Sequence, residues 1–413
     1  MSSANLPITE RRAPVRDPVR ALWIPAFDGI RGSISVVIAL THISLATGWR
    51  PNHEPFRALR GSMFFSIEFL FLMGGFAMFL PAVAYGGFVG VRTYALRRAG
   101  RLLPLYWLTL ALAVGVGPLL RPVSGAYFPH DVPAVLSHVV FLQQELYPRQ
   151  AGFGVQGIVW TMSITAVFCV IFPLVLRPYL RWPFLGLAAA VGVTVAWRET
   201  TGNHPDLFAQ FPLFGADFAL GMTTAWIYVQ LRRSAGARLR RALAWACPAA
   251  ALALLFLLYA AGLPVVDDHQ PLWGESLVLS IAVPLAFAAV LLTVAYLPAW
   301  AQRPLANRLS RWIGSINYGI FLFHFLVIWL VLGVADIPRN GSPRSMMLLT
   351  VLVLPLTVAA AWAGTRFVER PIRTWAQRAG RRHVPVPHVP APPGRRELAG
   401  VPAQAAPAPS TAP

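Results

Sequence analysis

Lysine is missing from this 413-residue chain, and all 35 of its basic residues are arginine. That excludes a lysine Schiff base and a P-loop, whose lysine meets phosphate. Acidic residues are also scarce, 16 against 35, giving a formal net charge of +19 with only 12% of residues charged. Soluble domains carry about 25%, so the shortage of charge points to lipid as the solvent. Cysteine is confined to Cys169 and Cys247, in or beside apolar runs, with no CxxC spacing and no histidine at ligand distance. Zinc and disulfide scaffolds are therefore not expected, and no metal is assigned. The chain has no G-x-S-x-G elbow, no His followed by Asp five positions on, and no Gly-rich dinucleotide fingerprint after a strand pattern. Soluble hydrolase, soluble glycerolipid acyltransferase and nucleotide-binding chemistry thus find no support.

Apolar sequence is abundant, at 56%. Runs long enough to cross a bilayer as helices, roughly 20 residues each, lie near 26–47, 63–86, 102–120, 155–176, 183–197, 209–230, 242–262, 276–297, 312–335 and 345–366. The expected fold is all-α, a polytopic transmembrane helical bundle of about ten spans with both termini cytoplasmic. The arginines fix that orientation: with the amino terminus inside, 27 of 35 fall on cytoplasmic segments, as the positive-inside rule requires. Their short clusters between apolar runs speak against nucleic acid. Residues 1–22 read as an Arg-rich cytoplasmic segment without a short h-region and cleavage site. Residues 23–375 form the membrane domain, and 376–413 a disordered Pro/Ala-rich cytoplasmic tail. An apolar piece at 133–144 is too short to span and reads as re-entrant or interfacial. The expected location is the bacterial cytoplasmic membrane, with no nucleic-acid partner.

Ionisable groups inside spans are expensive and therefore candidates for function. They are Asp28, Arg31, His42, Glu68, Asp217 and His324. Arg31 and His42 are eleven residues apart, three turns plus about 20°, which puts them on one helix face about 16 Å apart along the axis. An extended donor lying along that face touches both, whereas a compact metal site does not. Burial favours the neutral imidazole at His42, the form in which it takes a proton from an attacking hydroxyl. Glu68, in the second span, is expected to orient that ring as a carboxylate does in a triad. His324, set among aromatic and aliphatic residues, reads first as a packed core histidine.

Several segments resemble the acyltransferase-3 family of bacterial membrane O-acyltransferases. FDGIRGSISVVIALTH is similar to its opening, with Arg31 and His42 at the family's arginine and histidine. SIEFLFLMGGF resembles the second-span motif, with Glu68 for its Asp and Gly74-Gly75 for its Ser-Gly pair. RRAGRLLPLYW resembles the third-span opening (Arg98, Arg101, Pro104, Tyr106), and GIVWTMSITAVF the fourth-span segment, through Trp160 and Thr161 with Ser163 nearby. INYGIFLFHF, with Tyr318 and His324, and FVERPIR resemble the closing elements. The chain departs from the family pattern at Gly74 and at Thr165, where the family often has Glu.

The resemblance implies acyl transfer, with acyl-CoA such as acetyl-CoA as donor substrate, no bound cofactor, and a hydroxyl acceptor on a sugar, lipid-linked glycan or metabolite. It makes His42 the base and Arg31 its partner. Separately from the resemblance, the basic run Arg97, Arg98 and Arg101 is expected to face the cytoplasm, where a CoA phosphate would arrive, so these residues and Tyr106 are donor-binding candidates. Trp160, Ser163, Tyr318 and His324 remain further candidates. Two other readings stand beside it. One is the other class of membrane-bound O-acyltransferase, with His324 as catalyst. The other is a proton-coupled transporter or inactive binding relative.

Overall fold

A computed structural model describes residues 22–51, 65–88, 90–124, 132–146, 157–201, 204, 210–234, 236–260 and 277–381. Both ends of the chain, including most of the expected Arg-rich segment and tail, lie outside the described residues. Those described form helices and their connections.

Among the described residues, ten helices have 18 residues or more: α1 (Pro25–Thr47), α2 (Ser66–Tyr85), α3 (Val91–Ser124), α6 (Trp160–Arg181), α7 (Pro183–Thr201), α8 (Phe211–Ser234), α9 (Ala237–Ala260), α10 (Leu277–Tyr296), α13 (Asn317–Val334) and α14 (Pro343–Gly364). They fall on the ten apolar runs of the sequence. By length and composition, α1, α2, α3, α6, α13 and α14 can each cross a membrane, and α10 makes a seventh when joined to α11 (Ala299–Ala306) across a 114° bend. The other three have span length but a more mixed composition. Arg198 and Glu199 are on α7, Asp217 is on α8, and α9 opens on Ala-Arg-Leu-Arg-Arg.

Shorter helices complete the described residues. α4 (Val132–Val139) and α5 (Gln143–Leu146) precede α6, α12 (Arg308–Ser315) precedes α13, and a π-helical turn (Thr365–Glu369) joins α14 to α15 (Arg370–Arg381). The third span begins earlier than its apolar run suggests, because the arginine-rich residues 91–101 are its first turns rather than a loop. They stay helical because α15 docks on them: Ala376 is buried near Gly100, and Thr93 Oγ1 donates to the Gly380 carbonyl (3.2 Å). Residues 376–381, expected in the tail, thus continue α15.

Two backbone approaches position the site. In α1, Gly29 and Gly32 do not break the helix; a Cβ at Gly29 would collide with the Leu305 carbonyl, and Gly314 abuts the Asp28 carbonyl. α11 and α12 therefore seat directly under the start of α1. In α2, Gly75 lies against the Phe218 carbonyl and Gly221 of α8 against that of Leu72. This locks α2 and α8 side by side, with Phe71 of α2 tilted against Phe214 and Phe218 in the core.

Candidate active site

One end of the bundle gathers guanidinium groups. Arg31, on the first turns of α1, pairs with Asp28 one turn earlier, and its guanidinium lies 5.1 Å from the centroid of the Trp23 ring. Arg101 of α3 and Arg373 of α15 both donate through Nη1 to one oxygen, Oε1 of Glu369, at 2.8 and 2.9 Å. Glu369 is fully buried, and its other oxygen has no hydrogen-bond partner. The π-helical turn supplies this carboxylate; such turns are rare and frequent at functional sites.

Arg31, Arg97, Arg98, Arg101 and Arg373 line a cavity of about 360 Å³ together with Tyr94. Five guanidiniums there face two carboxylates, Asp28 and Glu369, so the cavity is electropositive. A second cavity, about 160 Å³, shares Arg31, Arg98 and Arg101 and is also lined by Gly74, Thr165, Tyr318 and Phe321. Both departures from the family pattern therefore line the same inner space. The larger apolar cavity between α6, α7 and α8, about 600 Å³, is lined by none of the candidate residues.

His42 and His324 meet farther along α1 and α13. Their rings are 5.1 Å apart, with His324 Nε2 3.2 Å from His42 Nδ1. Each Nδ1 also faces the carbonyl one turn back in its own helix, His42 to Ile38 at 2.9 Å and His324 to Ile320 at 3.1 Å. Phe325 packs edge-on against His42. His324 is completely buried, whereas His42 is half-buried. Phe321, one of the residues lining the inner cavity, has its ring 6.2 Å from that of His324.

The other candidates are dispersed. Glu68 is not joined to His42, contrary to the triad-like expectation. On the closely packed α2 and α8, Glu68 and Asp217 lie within electrostatic reach of each other, and Arg198 of α7 within reach of Glu68. Glu68 and Asp217 are both buried, and Glu68 Oε2 has no hydrogen-bond partner. Tyr106 lines neither arginine cavity: its hydroxyl donates to the His138 carbonyl (2.7 Å) and its ring stacks on Phe141. Trp160 packs edge-on against Phe71. Ser163 bonds to the Phe141 carbonyl and to Glu145 (2.9 Å) rather than back to its own helix. Tyr318 lines the inner cavity and donates to the Leu102 carbonyl (2.8 Å).

The expected short apolar piece at 133–144 is the segment holding α4 and α5, tied to α3 and α6 by these bonds and by Gln143 to the Val159 carbonyl (2.9 Å). It turns at Phe141 in the left-handed region (φ 64), which is unusual for a bulky residue.

Sequence reasoning missed Arg373 as a lining residue of the cavity and Glu369 as the carboxylate that holds Arg373 and Arg101 there. Their i,i+4 spacing in FVERPIR was the available signal.

Residues 24–366 match the acyltransferase-3 family, described as an acyltransferase domain. The chain belongs to this family. Among its relatives are peptidoglycan O-acetyltransferase OatA of Listeria monocytogenes, 21% identical over 375 residues, and YrhL of Bacillus subtilis, 25% identical over 388. These alignments cover 85% and 88% of this chain but 56% and 57% of the relatives, so the chain spans little more than half their length. No solved structure matches it. Membership and the apolar helices together make it a multi-pass membrane protein.

Proposed function

We propose that this protein is a membrane O-acyltransferase that takes an acyl group from acyl-CoA and esterifies a hydroxyl of a sugar or glycan, with His42 as general base. The observation that carries this reading is that Arg31 and His42 stand on one unbroken helix, with an electropositive cavity at the Arg31 end. Guanidiniums suit the phosphates of a CoA donor. About 16 Å of helix rise separates them from the imidazole, a distance for a long thioester arm. In the reaction His42 accepts the acceptor's O–H proton as the oxygen attacks the thioester carbonyl. The C–S bond then breaks and the imidazolium returns the proton to the leaving thiolate, giving an ester and free CoA thiol. The acceptor class is supported by the name of OatA.

With this chemistry we propose ten spans and cytoplasmic termini, which place the arginine cavity on the side where acyl-CoA is found. The distribution of 27 of 35 arginines supports that topology.

The test is thiol release from acetyl-CoA by the full chain in liposomes, with soluble peptidoglycan fragments as acceptor. His42→Ala is expected to lower the rate by about 10²-fold or more; a full rate in correctly inserted protein overturns the reading. A second reading, proton-coupled transport, draws on the buried Glu68–Asp217 pair. Uptake driven by a pH gradient, without thioester loss, would select it.

A further inference from the structure

We infer that His324 is a positioning residue that fixes the tautomer of His42, leaving His42 Nε2 as the proton-accepting atom. The inference rests on the reading of His42 as base and adds which nitrogen acts and what holds it.

Hydrogen bonding decides the tautomers. A backbone carbonyl only accepts, so an imidazole nitrogen held against one must carry a proton. His324 Nδ1 lies 3.1 Å from the Ile320 carbonyl and therefore bears the hydrogen. In a neutral ring this leaves Nε2 with a lone pair. That lone pair faces His42 Nδ1 at 3.2 Å. His42 Nδ1 thus sees two acceptors, His324 Nε2 and the Ile38 carbonyl at 2.9 Å, and must be the donor to both. The reverse assignment would press lone pairs against carbonyl oxygens in both rings. His42 is left with its proton on Nδ1 and its lone pair on Nε2, turned away from both partners.

This is the arrangement a general base requires: one nitrogen tied by a hydrogen bond, the other free to take a proton. Here a neutral imidazole does the tying, where a triad uses a carboxylate. A neutral orienter suits a position in lipid, since it adds no charge to bury. Burial separates the roles as well. His324 is fully enclosed and its Nε2 is taken, so it does not meet substrate, whereas His42 is half-buried. Phe325 walls both rings, 5.1 Å from His42 and 6.2 Å from His324, and limits their rotation.

The test combines a spectrum with two variants. In full-length protein labelled with ¹⁵N-histidine and reconstituted in liposomes, the resonances lost in His42→Gln identify His42. They are expected to show a protonated Nδ1 and a bare Nε2; a proton on Nε2 in the neutral ring overturns the inference without any change at position 324. In the acetyl-CoA thiol-release assay, His324→Leu removes the acceptor and is expected to lower kcat about 10²-fold with the donor KM unchanged. His324→Gln, which sets an amide oxygen near the lost Nε2, is expected to stay within about tenfold of wild type. Wild-type kcat in His324→Leu overturns the inference. If His42→Ala also retains its rate, the reading of His42 as base has failed; if His42→Ala is dead, only the role of His324 has.

Discussion

The arginine end and the histidine end of the bundle handle polarity in opposite ways. At the arginine end charge is kept and organised: one buried carboxylate, Glu369, holds Arg101 and Arg373 on a single oxygen beside an open cavity. At the histidine end, His42 and His324 satisfy each other and their own helix carbonyls. A third cluster sharpens the contrast, because Asp217 lies within electrostatic reach of Glu68, and Glu68 of Arg198. The lesson is that an ionisable residue in a span carries different meanings according to its partners. A carboxylate that holds two cations organises a surface for anions. A carboxyl beside another carboxyl gains no such partner, because like charges repel.

The sharpest way to break this comparison is Arg101→Ala. It takes one cation from a buried carboxylate and should destabilise the protein by about 2 kcal/mol, below the range for fully buried pairs because Arg101 is 26% exposed. Detergent unfolding curves measure this, and an unchanged midpoint would mean that Glu369 does not depend on Arg101.

Next in size is Arg98→Ala, which removes a cavity cation without stranding a carboxylate. The KM for acetyl-CoA should rise about tenfold with kcat nearly constant, and about 0.5 M salt should weaken donor binding in the wild type. A fall in kcat alone would place the donor elsewhere.

In the acid pair, Glu68→Gln removes an ionisable group and is expected to leave stability unchanged or raise it by up to about 1 kcal/mol, opposite in sign to Arg101→Ala. A marked loss in the same unfolding assay would show that Glu68 is held as a carboxylate after all. The smallest effect is expected for Gly74→Ser, which restores the family's residue. Its Cβ would sit 3.3 Å from the Phe218 ring, a contact a small ring shift relieves, so stability should move by less than about 1 kcal/mol. Rate measurements on this variant test whether the inner cavity is sensitive to an added hydroxyl.

The helical architecture was legible in the sequence because lipid demands long apolar runs, and each run became a helix. Its boundaries were less so. Residues 91–101 look like a loop by composition and are helical because α15 covers them. The common face of Arg31 and His42 followed from helical spacing, since α1 is continuous. The partners of these residues did not follow. His42 and His324 are 282 positions apart, and no local pattern announces their meeting. Glu68 was assigned to His42 from its place in the next span, yet the glycine contacts between α2 and α8 aim it elsewhere. Tyr106 shares a motif with Arg101 but is about 7 Å farther along the helix, and it serves the α4 segment instead.

The π-helical turn at Thr365–Glu369 works as a phase shifter. It fits one more residue into a turn, closed by the Arg370 amide on the Thr365 carbonyl, so everything after it is rotated relative to a plain α-helix. A plain α-helical turn of the same five residues would leave the following face at a different angle. The width of this turn, and not residue identity alone, sets the face from which Glu369 holds Arg101 and Arg373 at the anion-binding rim.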